Sequence, residues 1–233
     1  MLGYYGFDQY YIFLVMPALL LSLYAQYKVK STFNDFRRVG NRKGLTGAEV
    51  SRRILDSNGL YDVVVQPVRG ELTDHYDPRT KVVRLSDSVY NSTSVAAIGV
   101  AAHETGHAIQ HKVGYAPLAL RSTLVPVANI GSSAGPYLAI LGLFIGWPTL
   151  VNAGIILFTA AVAFYLVTLP VEFNASKRAI ALLEETGMLY GDELASAKKV
   201  LRAAAMTYVA SAAVAMASLL RLILLTSNRR RND

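Results

Sequence analysis

Residues 125–171 read VPVANIGSSAGPYLAILGLFIGWPTLVNAGIILFTAAVAFYLVTLPV, and this stretch contains no Lys, Arg, Asp or Glu. It is too long for one membrane crossing, which takes about 20 apolar residues, and it suits two. The turn signal Gly146-Trp147-Pro148-Thr149 lies in its middle, and Trp is typical of the membrane–water interface. The sequence therefore predicts a transmembrane hairpin with spans near residues 128–146 and 150–169.

Two further apolar runs flank this hairpin, at residues 10–25 and 203–220, and neither contains a charged residue. A soluble helical protein can bury one such run in its core, but three stretches of this extent predict a multi-pass membrane protein. The first run is preceded by a single charged residue, Asp8, whereas a signal peptide carries positive charge ahead of its apolar region. We therefore expect an anchor that is retained.

The distribution of charge predicts which side of the membrane the polar part occupies. Basic residues follow the first apolar run, and basic residues near a span favour the cytoplasmic side; they are Lys28, Lys30, Arg37, Arg38, Arg42 and Lys43. The net charge of +7 is thus attributed to contact with anionic lipid rather than with nucleic acid, because no basic stretch is interleaved with aromatic residues. The chain has no Cys, which excludes disulfides, thiolate metal ligands and a Cys nucleophile.

The polar segment after the first anchor has the pattern of a small α+β domain. Thr46 and Glu49 form a capping box that opens a helix over residues 46–57. The β-branched runs Val63–Val68 and Lys81–Leu85 predict strands, the second of which we expect at a sheet edge where it can pair with an extended substrate. An Ala-rich segment predicts a helix over residues 92–112, capped by Asn91, Ser92 or Thr93.

Together these patterns predict a mainly α-helical membrane protein with a small α+β part. A helix is expected to start at Pro170 and to end near Gly191, and the last helix is expected to start near Asp192. The predicted segments are an anchor (1–27), a cytoplasmic catalytic part (28–125), a transmembrane hairpin (126–170), cytoplasmic helices (171–202), a C-terminal transmembrane helix (203–227) and a basic tail (228–233).

The helix over residues 92–112 carries the motif His103-Glu104-Thr105-Gly106-His107. Histidines four residues apart project from one helix face, where two imidazoles can bind a single Zn²⁺. Glu104 lies beside the first ligand and is the candidate general base that takes a proton from a zinc-activated water. Gly106, between the two histidines, adds no bulk there. The motif predicts metal-dependent hydrolysis.

A catalytic zinc needs a third protein ligand, and the absence of Cys favours a carboxylate. Glu172 is the best candidate, because a carboxylate near a membrane span is costly unless it is paired or metal-bound. His111 is eight residues from His103, about 12 Å along the helix axis, so we expect it to face the cleft or cap the helix without binding metal. The competing carboxylates and the remaining histidine are Glu184, Glu185, Asp192, Asp74, Asp77 and His75.

The run AAHETGHAIQHKVGYAPL, with LTDHYDPRTKVVRLSDSVYNSTSVAAIGVAAHE upstream and LPVEFNASKRA downstream, resembles the YugP-like membrane zinc metalloproteases. These are similar to the HtpX-type membrane peptidases, and the resemblance covers nearly the whole chain. It implies a zincin-like, gluzincin-type site with Zn²⁺ at His103, His107 and Glu172 and with Glu104 as the base. HtpX-type relatives have an Asp four residues after the ligand Glu, and here Ser176 takes that place beside a ligand histidine.

The predicted function is hydrolysis of peptide bonds in protein or peptide substrates, membrane proteins included, at the cytoplasmic side of the cell membrane. His75, Tyr76 and His111 are candidates for contacting substrate or stabilising the oxyanion. One alternative is a non-catalytic membrane adaptor that binds zinc and protein partners, although its expected signature, loss of Glu104 or of a ligand, is absent. A zinc transporter or an ion channel is disfavoured, since either would need ionisable residues inside its spans and residues 125–171 hold no Asp, Glu, Lys or Arg.

The C-terminal segment has two possible arrangements. If residues 203–220 cross the membrane, Arg229, Arg230 and Arg231 end outside, against the positive-inside tendency, and Arg221 must reach the outer interface. Otherwise the helix stays on the cytoplasmic side without crossing. Its length favours crossing.

Overall fold

The structure is a computed structural model that describes residues 8–232, with side chains for residues 8–227. Within this range, four helices are long and apolar enough to cross a membrane, and a small three-stranded sheet lies among the shorter elements. The prediction of a mainly helical membrane protein with a small α+β part is confirmed. In chain order the elements are α1 (Tyr11–Phe36, π-helical over Tyr11–Val15), α2 (Gly47–Ser57), β1 (Val64–Val68), β2 (His75–Asp77), β3 (Val82–Ser86), α3 (Asp87–Tyr90), α4 (Val95–Lys112), α5 (Ala116–Ile145), α6 (Pro148–Glu185) and α7 (Asp192–Asn232).

The described chain forms two compact units. The helical unit contains the residues up to Gln26, Leu120–Leu169 and the residues from Thr207 onward. The mixed unit contains Tyr27–Ala119 and Pro170–Met206.

Glycines bring α5 and α6 close together in the helical unit. A Cβ atom added at Gly131 would clash with the carbonyl oxygen of Leu157, and one added at Gly154 would clash with the backbone nitrogen of Ala139. Small residues that let two backbones approach are typical of helix pairs in membranes, where packing rather than the hydrophobic effect drives association. The helices are joined at Gly146, whose φ of +72° is readily adopted by glycine, so the predicted turn is confirmed.

A partly buried ion pair joins the start of the first helix to the last helix of the helical unit. Arg221 donates from Nε and Nη2 to the Oδ2 atom of Asp8, at 2.9 and 2.6 Å. The Oδ1 atom of Asp8 accepts from the backbone N–H of Tyr11 at 2.9 Å, and the Arg221 guanidinium lies over the Tyr11 ring. A charge near the end of an apolar helix is costly unless it is paired, and Asp8 provides the partner of Arg221.

The sheet of the mixed unit has the strand order β1–β3–β2, with β1 parallel and β2 antiparallel to β3. The strand predicted over Lys81–Leu85 is therefore the central strand, and the expectation that it lies at a sheet edge is wrong. Asp77 begins the turn that joins β2 to β3, where its carboxylate accepts hydrogen bonds from the Arg79 backbone and the Thr80 hydroxyl. The short strand β2 lacked the β-branched pattern that predicted β1 and β3.

The core of the mixed unit packs α2, β3, α4, α6 and α7 together. Its largest fully buried apolar side chains are Ile54, Leu55, Leu85, Ile98, Leu183 and Leu189. The capping box of α2 is present, because the Thr46 hydroxyl accepts from the Glu49 backbone and the Glu49 carboxylate accepts from the Thr46 backbone.

Two predicted helix boundaries are wrong. The motif helix α4 starts at Val95, and its cap is Ser94, whose hydroxyl accepts from the Ala97 backbone. The short helix α3 ends at Tyr90, and residues 91–94, between it and α4, are not helical. Pro170 lies inside α6, which runs without interruption from the hairpin turn to Glu185. Proline is tolerated inside membrane helices because neighbouring groups compensate for the lost backbone hydrogen bond.

Candidate metal centre

Helix α4 holds His103 and His107 on one face, as the spacing of four residues predicts. Their imidazole centroids are 4.8 Å apart and the rings are nearly perpendicular, at 86°. His107 is buried and His103 is partly buried. Ser94 caps the start of the helix, and the buried Thr105 hydroxyl donates to the Ala101 carbonyl.

Glu172 reaches the two histidines from α6. Its Oε2 atom lies 3.2 Å from Nε2 of His103 and 3.5 Å from Nε2 of His107. Only 1% of Glu172 is exposed, so this carboxylate has been removed from water beside the two rings. One ligand atom from each of the three residues lies within 4.8 Å of the others. Glu172 is 69 residues from His103 in the chain, and no local sequence pattern reveals that the two side chains are in contact.

This set of atoms fits a zinc ion. Two imidazole nitrogens and one carboxylate oxygen are ligands that Zn²⁺ takes in catalytic sites, where a fourth position stays open for water or substrate. Within residues 8–232, His103, His107 and Glu172 are the one group of His, Asp or Glu residues that converges in this way. The other carboxylates and histidines considered from the sequence lie outside it: Glu184, Glu185, Asp192, Asp74, Asp77, His75 and His111.

Gly106 allows α4 and α6 to approach at this point. A Cβ atom added at Gly106 would lie 2.9 Å from the carbonyl oxygen of Ala175, closer than side chains normally come. Ala175 is on α6, three residues after Glu172. The glycine between the two histidines therefore has a packing role, which brings the third candidate ligand within reach of the first two.

The outward nitrogen of each histidine has its own partner. Nδ1 of His103 is 3.1 Å from the hydroxyl of Ser176, and Nδ1 of His107 is 3.0 Å from Oε1 of Gln110. Ser176 was expected beside a ligand histidine from the family resemblance. Gln110 was not singled out from the sequence. The available signal was its position, one turn after His107 on the motif helix, where a polar side chain shares the buried face.

The pKa values of Glu104 and His107 are both raised, for different reasons. Burial raises the pKa of Glu104, and the Glu172 and Asp74 charges add to that rise, while the two histidines oppose it. Burial by itself would lower the pKa of His107, but the hydrogen bond and the charge of Glu172 outweigh it and raise that pKa. The carboxyl groups of Glu104 and Glu172 therefore lie beside the two histidines, where they favour a nearby cation.

The remaining candidates lie at the sheet side of α4. The Tyr76 hydroxyl, on β2, is 2.9 Å from Nδ1 of His111, on the last turn of α4. Burial and the nearby charges of Asp62 and Asp77 raise the pKa of Tyr76 to about 12. His75 is exposed, and its Nδ1 is 2.8 Å from the Thr73 carbonyl. The structure thus pairs Tyr76 with His111 and leaves His75 apart from them.

Comparison with known proteins identifies the family. Residues 11–227 match the family described as "Putative neutral zinc metallopeptidase". The chain belongs to this zinc metallopeptidase family. A curated relative, "Putative membrane protease YugP" from Bacillus subtilis (strain 168), is 52% identical over 220 residues, which cover 94% of this chain and 98% of that protein. No solved structure matches the chain. The resemblance stated from the sequence motifs is confirmed, and the chain is a membrane protein of this family.

Replacing Gly106 with Ala tests the close approach of α4 and α6. The new methyl group must displace the Ala175 backbone, at a cost of about 1–3 kcal/mol, the usual range for overpacking. We expect lower thermal stability in detergent and weaker zinc binding, since Glu172 moves with α6. The matched control is Gly99→Ala on the same helix, where the added Cβ would meet the Ala197 side chain at 3.3 Å. Equal zinc affinity in the two variants would contradict this role of Gly106.

Proposed function

We propose that this chain is an integral-membrane zinc metalloendopeptidase in which His103, His107 and Glu172 bind the metal and Glu104 is the general base. The observation that carries the proposal is the convergence of both histidine Nε2 atoms on the buried Glu172 carboxylate. Membership of a zinc metallopeptidase family supports the same chemistry.

Each residue of the site has a defined task in this reaction. Bound zinc would supply Lewis acidity, which acidifies water and polarises the carbonyl of the scissile bond. Glu104 accepts the proton of the attacking water and then transfers it to the departing amine, so that one carboxylate serves both halves of the hydrolysis. His103, His107 and Glu172 keep their positions because α4 and α6 pack together at Gly106.

A substrate peptide would bind in extended form along β2. This strand lies at the edge of the sheet and pairs on one side with the central strand β3. Backbone pairing at a sheet edge accepts many sequences, as a protease acting on proteins or peptides requires. Tyr76, with a pKa of about 12, keeps its proton at neutral pH. We therefore favour Tyr76, oriented by His111, as the hydrogen-bond donor to the developing oxyanion.

We further propose that the site faces the cytoplasm and that the last helix crosses the membrane. The basic residues after α1 support the first point. The Asp8–Arg221 ion pair supports the second, because it joins the start of the first apolar helix to the end of the last one within the helical unit. A chain with four crossings brings these two ends to the same side.

Metal analysis with four variants tests the proposed chemistry. The purified full chain should contain about one zinc ion and should hydrolyse a casein-type substrate. Glu104→Gln should keep the metal and lose at least about 100-fold in rate, the smallest contribution expected of a general base. His103→Ala and Glu172→Ala should lose most of the metal. Glu184→Gln, at an exposed carboxylate on the same helix as Glu172, should change neither property.

Two results would contradict parts of this assignment. Full zinc content in Glu172→Ala would exclude Glu172 as a ligand. Zinc bound to the natural sequence without any hydrolysis, or hydrolysis that persists in Glu104→Gln, would favour the non-catalytic adaptor or a different base.

A reporter fused after Asp233 tests the topology. With four crossings, a reporter that is active only in the cytoplasm should be silent there, and the same reporter placed after Gly114, in the mixed unit, should be active. Strong activity after Asp233 would reject the fourth crossing and leave the alternative in which the last helix stays on the cytoplasmic side.

A further inference from the structure

Gln110 is a completely buried amide that contacts both helices of the candidate metal centre. Its exposed fraction is 0%, although its side chain has two N–H donors and an acceptor oxygen to satisfy. Oε1 lies 3.0 Å from Nδ1 of His107. Nε2 lies 2.8 Å from the carbonyl oxygen of Val171 and 3.0 Å from Oδ1 of Asn174, both on α6. Every polar atom of the amide is therefore used.

The surroundings permit only one orientation of this amide. The Val171 carbonyl can only accept a hydrogen bond, so the NH₂ group of Gln110 must face it. Asn174 independently requires the NH₂ group of Gln110 to face α6. Its Oδ1 atom already accepts from Nε of Arg178, at 2.8 Å, and arginine can only donate. Two acceptors thus hold the NH₂ group, and the oxygen of Gln110 is left facing His107.

This orientation determines the tautomer of neutral His107. Because Oε1 of Gln110 is an acceptor, Nδ1 of His107 must carry the proton and donate it. The lone pair of the ring is then on Nε2, the atom that faces the Glu172 carboxylate. A histidine can bind a metal only through a nitrogen that has a free lone pair. The backbone of α6 therefore fixes, through Gln110, which nitrogen of His107 is available.

The other histidine lacks such a constraint. Nδ1 of His103 contacts the Ser176 hydroxyl, and a hydroxyl can rotate to donate or to accept. Ser176 is thus compatible with either tautomer of His103. Of the two histidine partners, Gln110 selects one tautomer of its histidine, whereas Ser176 does not.

We propose that Gln110 is a positioning residue for the metal centre. It holds His107 in the tautomer that presents Nε2 to the metal, and it ties α4 to the backbone of Val171, next to Glu172. The proposal rests on the zinc site proposed above and adds a residue outside the three ligands and the base. Outer partners of ligand histidines commonly raise metal affinity about 10–100-fold.

Zinc affinity of the full chain in detergent, measured by competition with a chelator, tests the proposal. Gln110→Leu removes both functions of the amide at similar volume, and we expect its zinc affinity to fall about 10–100-fold. Gln110→Glu keeps an acceptor for the His107 Nδ1–H, so its affinity should lie between those of the natural sequence and Gln110→Leu. The absorption spectrum of bound Co²⁺ should change in Gln110→Leu, because the geometry at His107 changes.

Thr105→Val is the matched control. It removes a buried hydroxyl from the same helix, with hydrogen bonds to Ala101 and Ser51 but none to a candidate ligand. We expect lower thermal stability and a zinc affinity within about twofold of the natural sequence, as befits a residue outside the metal's outer contacts.

The possible outcomes distinguish failure of the Gln110 positioning role from failure of the zinc site. Unchanged zinc affinity in Gln110→Leu, or an equal loss in Gln110→Leu and Thr105→Val, would overturn the positioning role. If Gln110→Leu does not fold, Gln110→Glu decides: a measurable loss of zinc affinity that stays below about tenfold supports the role, and an unchanged affinity or a larger loss overturns it. A natural sequence that binds no zinc would instead overturn the metal site itself.

Discussion

The burial of the Glu172 carboxylate is the constraint on which the site depends. An ionised carboxylate that has been removed from water must be compensated by hydrogen bonds or by positive charge. Here the compensation comes from His103 and His107, whose Nε2 atoms both face Oε2. A divalent cation among these three groups would satisfy the carboxylate and use the lone pairs of both rings. As a buried ion pair, the contact between Glu172 and the two histidines carries a desolvation cost, whereas a bound metal ion would make the same three groups favourable neighbours.

Two features of the mixed unit hold α4 and α6 close together beside Glu172. Gly106 removes the side chain that would hold the helices apart, and Gln110 connects them through the Val171 carbonyl. Ser176 contacts His103 from one turn beyond Glu172. The candidate ligand Glu172, the close contact at Gly106 and the partners of the two histidines are therefore spaced at helical intervals along the facing sides of α4 and α6. Precise ligand geometry follows from rigid elements rather than from loops.

Much of this could be predicted from the sequence, because the relevant signals are local. The charge-free run of residues 125–171, with its central turn, predicted the hairpin, and the four-residue spacing of the histidines predicted their common face. The capping box of α2 and the two β-branched strands were also local patterns. The identity of Glu172 required a different argument, the cost of a carboxylate near a membrane span, and the structure brings that residue to both histidines.

The remaining features depend on tertiary context. The order of the strands reversed the expectation for Lys81–Leu85, because a strand's own sequence does not say which neighbours it will have. The sequence predicts a helix start at Pro170, yet α6 continues through it. The partners of Gln110 and the pairing of Arg221 with Asp8 join residues 61 and 213 positions apart in the chain. Contacts of that range leave no periodic signal in a single sequence.

X-ray absorption at the zinc edge, on the full chain purified without added metal, is the most direct test of zinc bound by His103, His107 and Glu172. We expect about one zinc per chain, with two imidazole nitrogens and carboxylate or water oxygens at about 2.0–2.2 Å, and loss of most of the zinc in His107→Ala, as in the other ligand variants. A spectrum of zinc surrounded by water oxygens alone, or a zinc content and spectrum that are unchanged in His107→Ala, would contradict the three-residue metal site.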